Sequence, residues 1–355
     1  MIKKVLIIHS SALMRSVLSD IINTDEGLEV VDCAENCFVA IDKVKNTQYD
    51  CIVLDCITPK MTGSEFLKNV SGNILNSAVV VLSNSRDVDN TETLKCLELG
   101  ADCIIGLPSS FNDMKQAEFR KEVLDTILSA LQSKAEGNSG VKNARIPKGG
   151  NIVNKGVGAA ADNKKLIAIA CSTGGPKALQ EVIPYINAHI NAPILIVQHM
   201  PRTFTESLAE RLDSLSELKV KEAAEKDILQ KGVVYIAKGG YHMAIESTAN
   251  GNHQIRILDD PPRVGLKPCA DIMYESLMES GFEQIICLVM TGMGCDGTNG
   301  IGKLKSKKNV YVIAQDKATS TVYGMPKAVY DAGLVDEVHE LRKLADAVTR
   351  ITGVR

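Results

Sequence analysis

Two patterns alternate along most of this chain: short apolar runs, and longer stretches with apolar residues three or four positions apart. The first kind reads as buried strand and the second as amphipathic helix. In the first third, the strands are Val5–Ile8, Glu29–Cys33, Cys51–Leu54, Ala78–Leu82 and Cys103–Ile105. Between and after them the helical stretches are Ala12–Ile22, with Leu13, Val17 and Ile21 on one face, then Cys37–Lys45, Thr91–Leu99 and Phe119–Leu131. Five strands alternating with helical stretches in this way predict a doubly wound parallel sheet with function at the carboxyl ends of its strands. The pattern stops over 132–165, where Gly, Asn, Lys and Ala dominate, as in Glu136–Gly140 and Lys148–Asn151. Such a segment cannot bury enough surface to offset its ordering entropy, so it reads as a flexible tether. Apolar strands resume at Leu166–Ala170, Pro193–Gln198, Ile285–Met290 and Val310–Ala314, with an amphipathic helix over Phe204–Leu212 and a hairpin-like stretch that begins with Gly232–Ala237. The expected organisation is therefore an α/β domain over 1–131, a linker over 132–165 and a second α/β domain over 166–355.

Composition and charge narrow the function classes. A chain of 355 residues with 45% hydrophobic and 23% charged residues is ordinary for a soluble protein with two or three cores. The formal net charge of −3 is uneven: 12 basic and 19 acidic residues over 1–131, 7 and 2 over 132–165, and 21 and 22 over 166–355. Neither long segment offers nucleic acid a basic face, and the short basic middle reads as a solvated linker. The first apolar run is too short for a signal peptide and no run is long enough for a bilayer, which implies a cytoplasmic protein without membrane insertion. Ten cysteines occur without any C-x-x-C pair, and several sit inside apolar runs; they are expected to be reduced core thiols rather than metal ligands or disulfides.

Candidate chemistry gathers at the ends of three strands of the second domain. Leu166–Ala170 leads to Ser172-Thr-Gly-Gly-Pro176, a tight strand-to-helix turn with Pro176 suited to the first helical turn. Pro193–Gln198 leads to His199, and Ile285–Met290 to Asp296 in a glycine-rich loop. If these strands are parallel neighbours, a serine, a base and an orienting carboxylate share one rim. Each residue alone also has a plainer reading, as a turn, a hydrogen-bonded histidine and an Asx-turn aspartate. Gly292–Gly297 also matches the dinucleotide fingerprint G-x-G-x-x-G, with Asp316 about twenty residues further on.

Four separated words, Ile169–Pro176, Val197–Pro201, Thr291–Gly297 and Ala314 to Pro326, resemble the catalytic domain of the chemotaxis methylesterase family, CheB. The resemblance implies a Rossmann-like domain in which Ser172 is the nucleophile, His199 the general base and acid, and Asp296 the carboxylate that orients the histidine. It implies hydrolysis of glutamate γ-methyl esters, and deamidation of glutamine, on the cytoplasmic domains of chemoreceptors, with no metal or organic cofactor. Backbone N–H groups of Thr173 and Met293 are the candidate oxyanion donors.

The first domain, through Ser11–Arg15, Leu54–Asp55 and Leu99–Ala101, resembles a two-component receiver, which implies a flavodoxin-like fold and contact with the chemotaxis histidine kinase. Asp55 holds the phospho-acceptor position and Ser83 the hydroxyl position. The family's acidic pair is replaced by His9 and Ser10, and its lysine by Leu107. Mg²⁺ wants carboxylate oxygens, and phosphoryl transfer relies on charge neutralisation, so a degenerate receiver acting as a docking or inhibitory module is expected. The rival from another class is a silent signalling adaptor that keeps both folds.

Overall fold

Strands apolar on both faces must be covered on both faces, and the chain meets that demand twice. In the computed structural model, residues 2–74, 76–83, 87–108, 114, 116–138, 164–248 and 250–353 are described. The first domain runs β1 (Lys3–Ile8), α1 (Ala12–Ile22), β2 (Leu28–Ala34), α2 (Cys37–Asn46), β3 (Cys51–Asp55), α3 (Gly63–Val70), β4 (Ala78–Ser83), α4 (Asp87–Glu98), β5 (Cys103–Gly106) and α5 (Ala117–Asn138). Its sheet has the order β2-β1-β3-β4-β5, all parallel, the flavodoxin-like arrangement. Side chains alternate between two apolar layers: Leu6, Ile8, Ile52 and Leu54 meet α2, α3 and α4, while Val5, Ile7 and Val53 meet α1 and α5.

Two expectations shift here. The buried face of α1 is Met14, Leu18, Ile21 and Ile22, whereas Leu13 is 56% exposed. Both sets have helical spacing, and docking on the sheet selects between them. The last helix passes Leu131 and ends at Asn138, so the segment expected to be a tether begins helical; its remainder, 139–163, lies outside the described residues. Residues 132–138, which include no large apolar side chain, continue a helix that the apolar pattern alone could not extend.

The second domain runs β6 (Lys165–Cys171), α6 (Gly175–Gln180), β7 (Ile194–Gln198), α7 (Arg202–Leu215), β8 (Lys219–Glu222), β9 (Val233–Ile236), β10 (His242–Ser247), β11 (His253–Leu258), α8 (Ala270–Ser276), β12 (Gln284–Val289), α9 (Thr298–Lys307), β13 (Asn309–Gln315), α10 (Met325–Asp331), β14 (Glu337–His339) and α11 (Leu344–Thr352). Seven parallel strands stand in the order β8-β9-β7-β6-β12-β13-β14. The stretch expected to open a hairpin, Gly232–Ala237, instead supplies β9, inserted in parallel between β8 and β7. The hairpin of this domain is β10–β11.

The chain starts at the centre of this sheet, grows to one side through β7, β9 and β8, and returns to the other through β12, β13 and β14. The reversal lies between β6 and β12, the point where an open α/β sheet leaves a crevice beyond its strand ends. Ile167, Ile169, Ile196, Phe204 and Leu208 fill one face, and Leu166, Ala168, Val197, Tyr274 and Ile301 the other. Fully burying each large side chain contributes about 1.5–3 kcal/mol, which makes the strand ends a stiff platform. The two domains touch: α4 lies against α7, and a Cβ built on Gly106 would stand 3.3 Å from Cγ of Pro201.

Candidate active site

Parallel pairing of β6 with both β7 and β12 brings three strand ends side by side. The β6–β7 register ends at Cys171 opposite Gln198, and the His199 N–H donates to the Cys171 carbonyl at 3.1 Å. Ser172 and His199 are thus the next residues beyond a paired edge. On the other side the Ser172 N–H donates to the Thr291 carbonyl at 3.0 Å. The turn is tight because Gly174 takes φ +76°, which a side chain would strain, and a Cβ there would also lie 2.4 Å from Thr321. Gly292 is equally constrained by space: a Cβ there would fall 2.4 Å from Sδ of Met325 and 2.9 Å from Cβ of Ser172.

His199 and Asp296 come together directly, with Nε2 of the imidazole 2.7 Å from Oδ2 of the carboxylate. Asp296 is held at the N-terminus of α8. Oδ2 also accepts from the Ala270 N–H at 2.6 Å, and Oδ1 accepts from the N–H groups of Asp271 (3.0 Å) and Gly297 (2.9 Å). Cys269 Sγ donates to the same Oδ1 at 3.1 Å; burial first and then Asp296 push that thiol up to about 12, so it stays protonated. Burial raises the Asp296 pKa, but His199 and the backbone donors outweigh it, and the carboxyl falls to about 2. An ionised Asp296 fixes the proton on Nε2, so the lone pair of His199 lies on Nδ1. Nδ1 is buried without a hydrogen-bond partner among the described residues, and no hydrogen bond joins it to Ser172 Oγ. Catalytic hydrogen bonds are commonly looser before substrate binds.

Cys269, Asp271 and Asp296 also form a grouping with metal-ligand chemistry, but Cys269 Sγ, both Asp296 oxygens and Asp271 Oδ1 are already hydrogen-bonded within the chain. Asp296 accepts the contacts above, and Asp271 Oδ1 accepts from the Gly300 N–H at 2.6 Å. The same contacts bear on the dinucleotide fingerprint. The amides of Gly297 and Gly300, where a pyrophosphate would sit at the start of α9, already face two carboxylates of this chain. Asp316 is likewise engaged, accepting from the Thr319 N–H at 3.0 Å.

Residues 167–348 match the family model described as CheB methylesterase, and residues 5–118 match that of the response regulator receiver domain. The chain belongs to the CheB methylesterase family. It is 38% identical over 353 residues, 98% of both chains, to protein-glutamate methylesterase/protein-glutamine glutaminase 1 of Syntrophomonas wolfei. It is 34% identical to the corresponding protein of Geobacillus kaustophilus over 99% of both chains. The solved CheB methylesterase catalytic domain of Thermotoga maritima is 39% identical, with a TM-score of 0.51, and the match covers 53% of this chain and 98% of that one. The chain is accordingly an enzyme of that family.

The receiver of this CheB-family chain carries a different pocket. Asp55 is buried at the end of β3, and its Oδ1 accepts from the Ile57 N–H at 3.1 Å. His9 Nδ1 lies 3.7 Å from Asp55 Oδ2 but accepts from the Ser11 N–H at 3.0 Å. Burial first, then Arg15, lowers His9 to about 4, so it is neutral at physiological pH. Arg15 donates to the carbonyls of His9 (2.6 Å) and Ser10 (3.1 Å). Ser83 Oγ accepts from Thr93 Oγ1 at 2.8 Å, and Leu107 is buried in the apolar layer under α5. One carboxylate, a neutral imidazole whose Nδ1 is occupied, and a nearby guanidinium do not fit Mg²⁺.

The strand-end residues were open to sequence reasoning, but the α8 amides that hold Asp296 were not. Their placement depends on the 259–269 loop folding back, and no periodicity announces it.

Proposed function

We propose that this enzyme hydrolyses glutamate γ-methyl esters, and deamidates glutamine, on the cytoplasmic domains of chemoreceptors through Ser172, His199 and Asp296. The observation that carries the reading is the 2.7 Å contact of His199 Nε2 with Asp296, which leaves Nδ1 as the base on the strand end beside Ser172. Ser172 Oγ attacks the γ-carbonyl as its proton passes to Nδ1. The oxyanion forms against the N–H groups of Thr173 and Met293, neither of which has another acceptor among the described residues. His199 then returns the proton to the leaving methoxide, releasing methanol, or to the leaving amide, releasing ammonia. Water, activated by the same imidazole, cleaves the glutamyl ester and restores Ser172. Removing one oxyanion donor costs about 10²–10³ in rate, which sets the scale for each N–H.

Residues 1–131 serve as a receiver-like docking or inhibitory domain and 166–355 as the catalytic domain, joined through 132–165, which continues α5 to Asn138 and enters β6 at Lys165. Contact of Gly106 with Pro201, two residues from His199, supports the inhibitory role. The chemotaxis histidine kinase is the partner expected for the receiver-like domain. Among the described residues no helix is long and apolar enough to cross a membrane, in keeping with a cytoplasmic enzyme acting on receptor tails. The test is to incubate the full chain with a methylated receptor cytoplasmic fragment and read its mass: glutamyl methyl esters and glutamines should become glutamates. An unchanged receptor mass would overturn the substrate assignment.

A further inference from the structure

Gln198 is left unexplained by the three strand-end residues. It closes β7, is 2% exposed and directly precedes His199. Its Nε2 donates to the Ser172 carbonyl at 3.0 Å and to the His199 carbonyl at 2.9 Å. Both neighbours are acceptors, so the atom between them has to be the amide nitrogen. Oε1 is then buried with no partner among the described residues, packed on Gly175, where an added Cβ would fall 1.9 Å from it. A buried acceptor without a donor is unfavourable, and methionine would fill the same space without that cost. Packing alone therefore gives no reason for a glutamine.

Peptide geometry supplies one. The C=O and N–H of a trans peptide point in opposite directions. The Ser172 oxygen is held by Gln198 Nε2 and by the Gly175 N–H at 2.7 Å, which turns the Thr173 N–H of the same peptide away from both. The peptide carrying the Met293 N–H is fixed in the same way, because the Gly292 oxygen accepts from the N–H groups of Gly324 (3.0 Å) and Met325 (2.8 Å). One peptide is thus anchored by two backbone donors, and the other by one backbone donor and one side chain.

We propose that Gln198 is a positioning residue: its amide aims the Thr173 N–H at the oxyanion and ties the nucleophile turn to the turn that carries His199. This rests on the reading of Ser172 as nucleophile. In the full chain, Gln198→Met should lower kcat for methanol release about 10- to 100-fold, less than the ~10²–10³ loss of a deleted donor, because the N–H is misaimed rather than removed. KM should stay within about twofold. Affinity for a tetrahedral-intermediate mimic, a boronic acid analogue of the glutamyl ester, should fall in parallel with kcat/KM, which a loss of stability alone would not produce. Gly175→Ala, which pushes the intact amide off both carbonyls, carries the same prediction if Gln198→Met does not fold. Unchanged kcat in either folded variant overturns the proposal. Ser172→Ala, run alongside, separates the failures: if it still releases methanol the underlying reading falls, and if it is inactive while Gln198→Met is fully active only this inference does.

Discussion

His199 presents Nε2, not Nδ1, to Asp296, at 2.7 Å. On the proposed mechanism the base is then Nδ1, the nitrogen nearer the imidazole's own backbone, and the proton would move close to the strand end that carries Ser172. Asp296→Asn keeps the shape but no longer fixes this tautomer. It should lower kcat by about 10³–10⁴ with little change in KM, read from methanol release. The same substitution should alter acid stability. The Asp296 carboxyl is held at about 2 in the folded chain against 3.8 ordinarily. The ionised form is favoured by folding, so its stabilisation is present at neutral pH and is lost as pH falls from about 4 towards 2. Urea unfolding at pH 7 and pH 3 should show part of the acid loss missing in Asp296→Asn.

Gly292 touches Ser172 so closely that a methyl group has no room. Gly292→Ala forces its Cβ into Met325 and against Ser172. Displacing Gly292 also moves the peptide that carries the Met293 N–H. The expected loss in kcat is about 10²-fold, the size of one oxyanion donor. Circular dichroism should report a folded chain; activity within threefold of the parent would show that this contact does not constrain the site.

The receiver pocket should not behave as a switch. His9 is neutral, Arg15 covers the carbonyls of His9 and Ser10, and Leu107 supplies no charge. With a small-molecule phosphodonor and Mg²⁺, residues 1–138 should show no Mg²⁺-dependent labelling beyond that of Asp55→Ala. Robust labelling that vanishes in Asp55→Ala would contradict this account of the pocket.

How far the sequence carries depends on what each residue's position requires. The shared strand-end position of Ser172, His199 and Asp296 was legible because each follows an apolar run, and parallel pairing of β6 with β7 and β12 gathers such ends on one rim. The identity of the imidazole nitrogen was not, since it follows from a side-chain rotation set by the α8 amides. Met14 replaces Leu13 on the buried face of α1 because two apolar stripes compete there, and only the sheet decides between them. The run at Gly232–Ala237 is apolar and followed by glycines, which suits a hairpin as well as a parallel strand. Its place between β8 and β7 is a tertiary choice.

Attack of Ser172 on the ester, as proposed, is tested most directly by methanol release. With methylated receptor fragment as substrate, Ser172→Ala in the full chain should lose at least about 10³-fold in kcat while still binding the fragment. Methanol release by Ser172→Ala at near the parent rate would contradict the account.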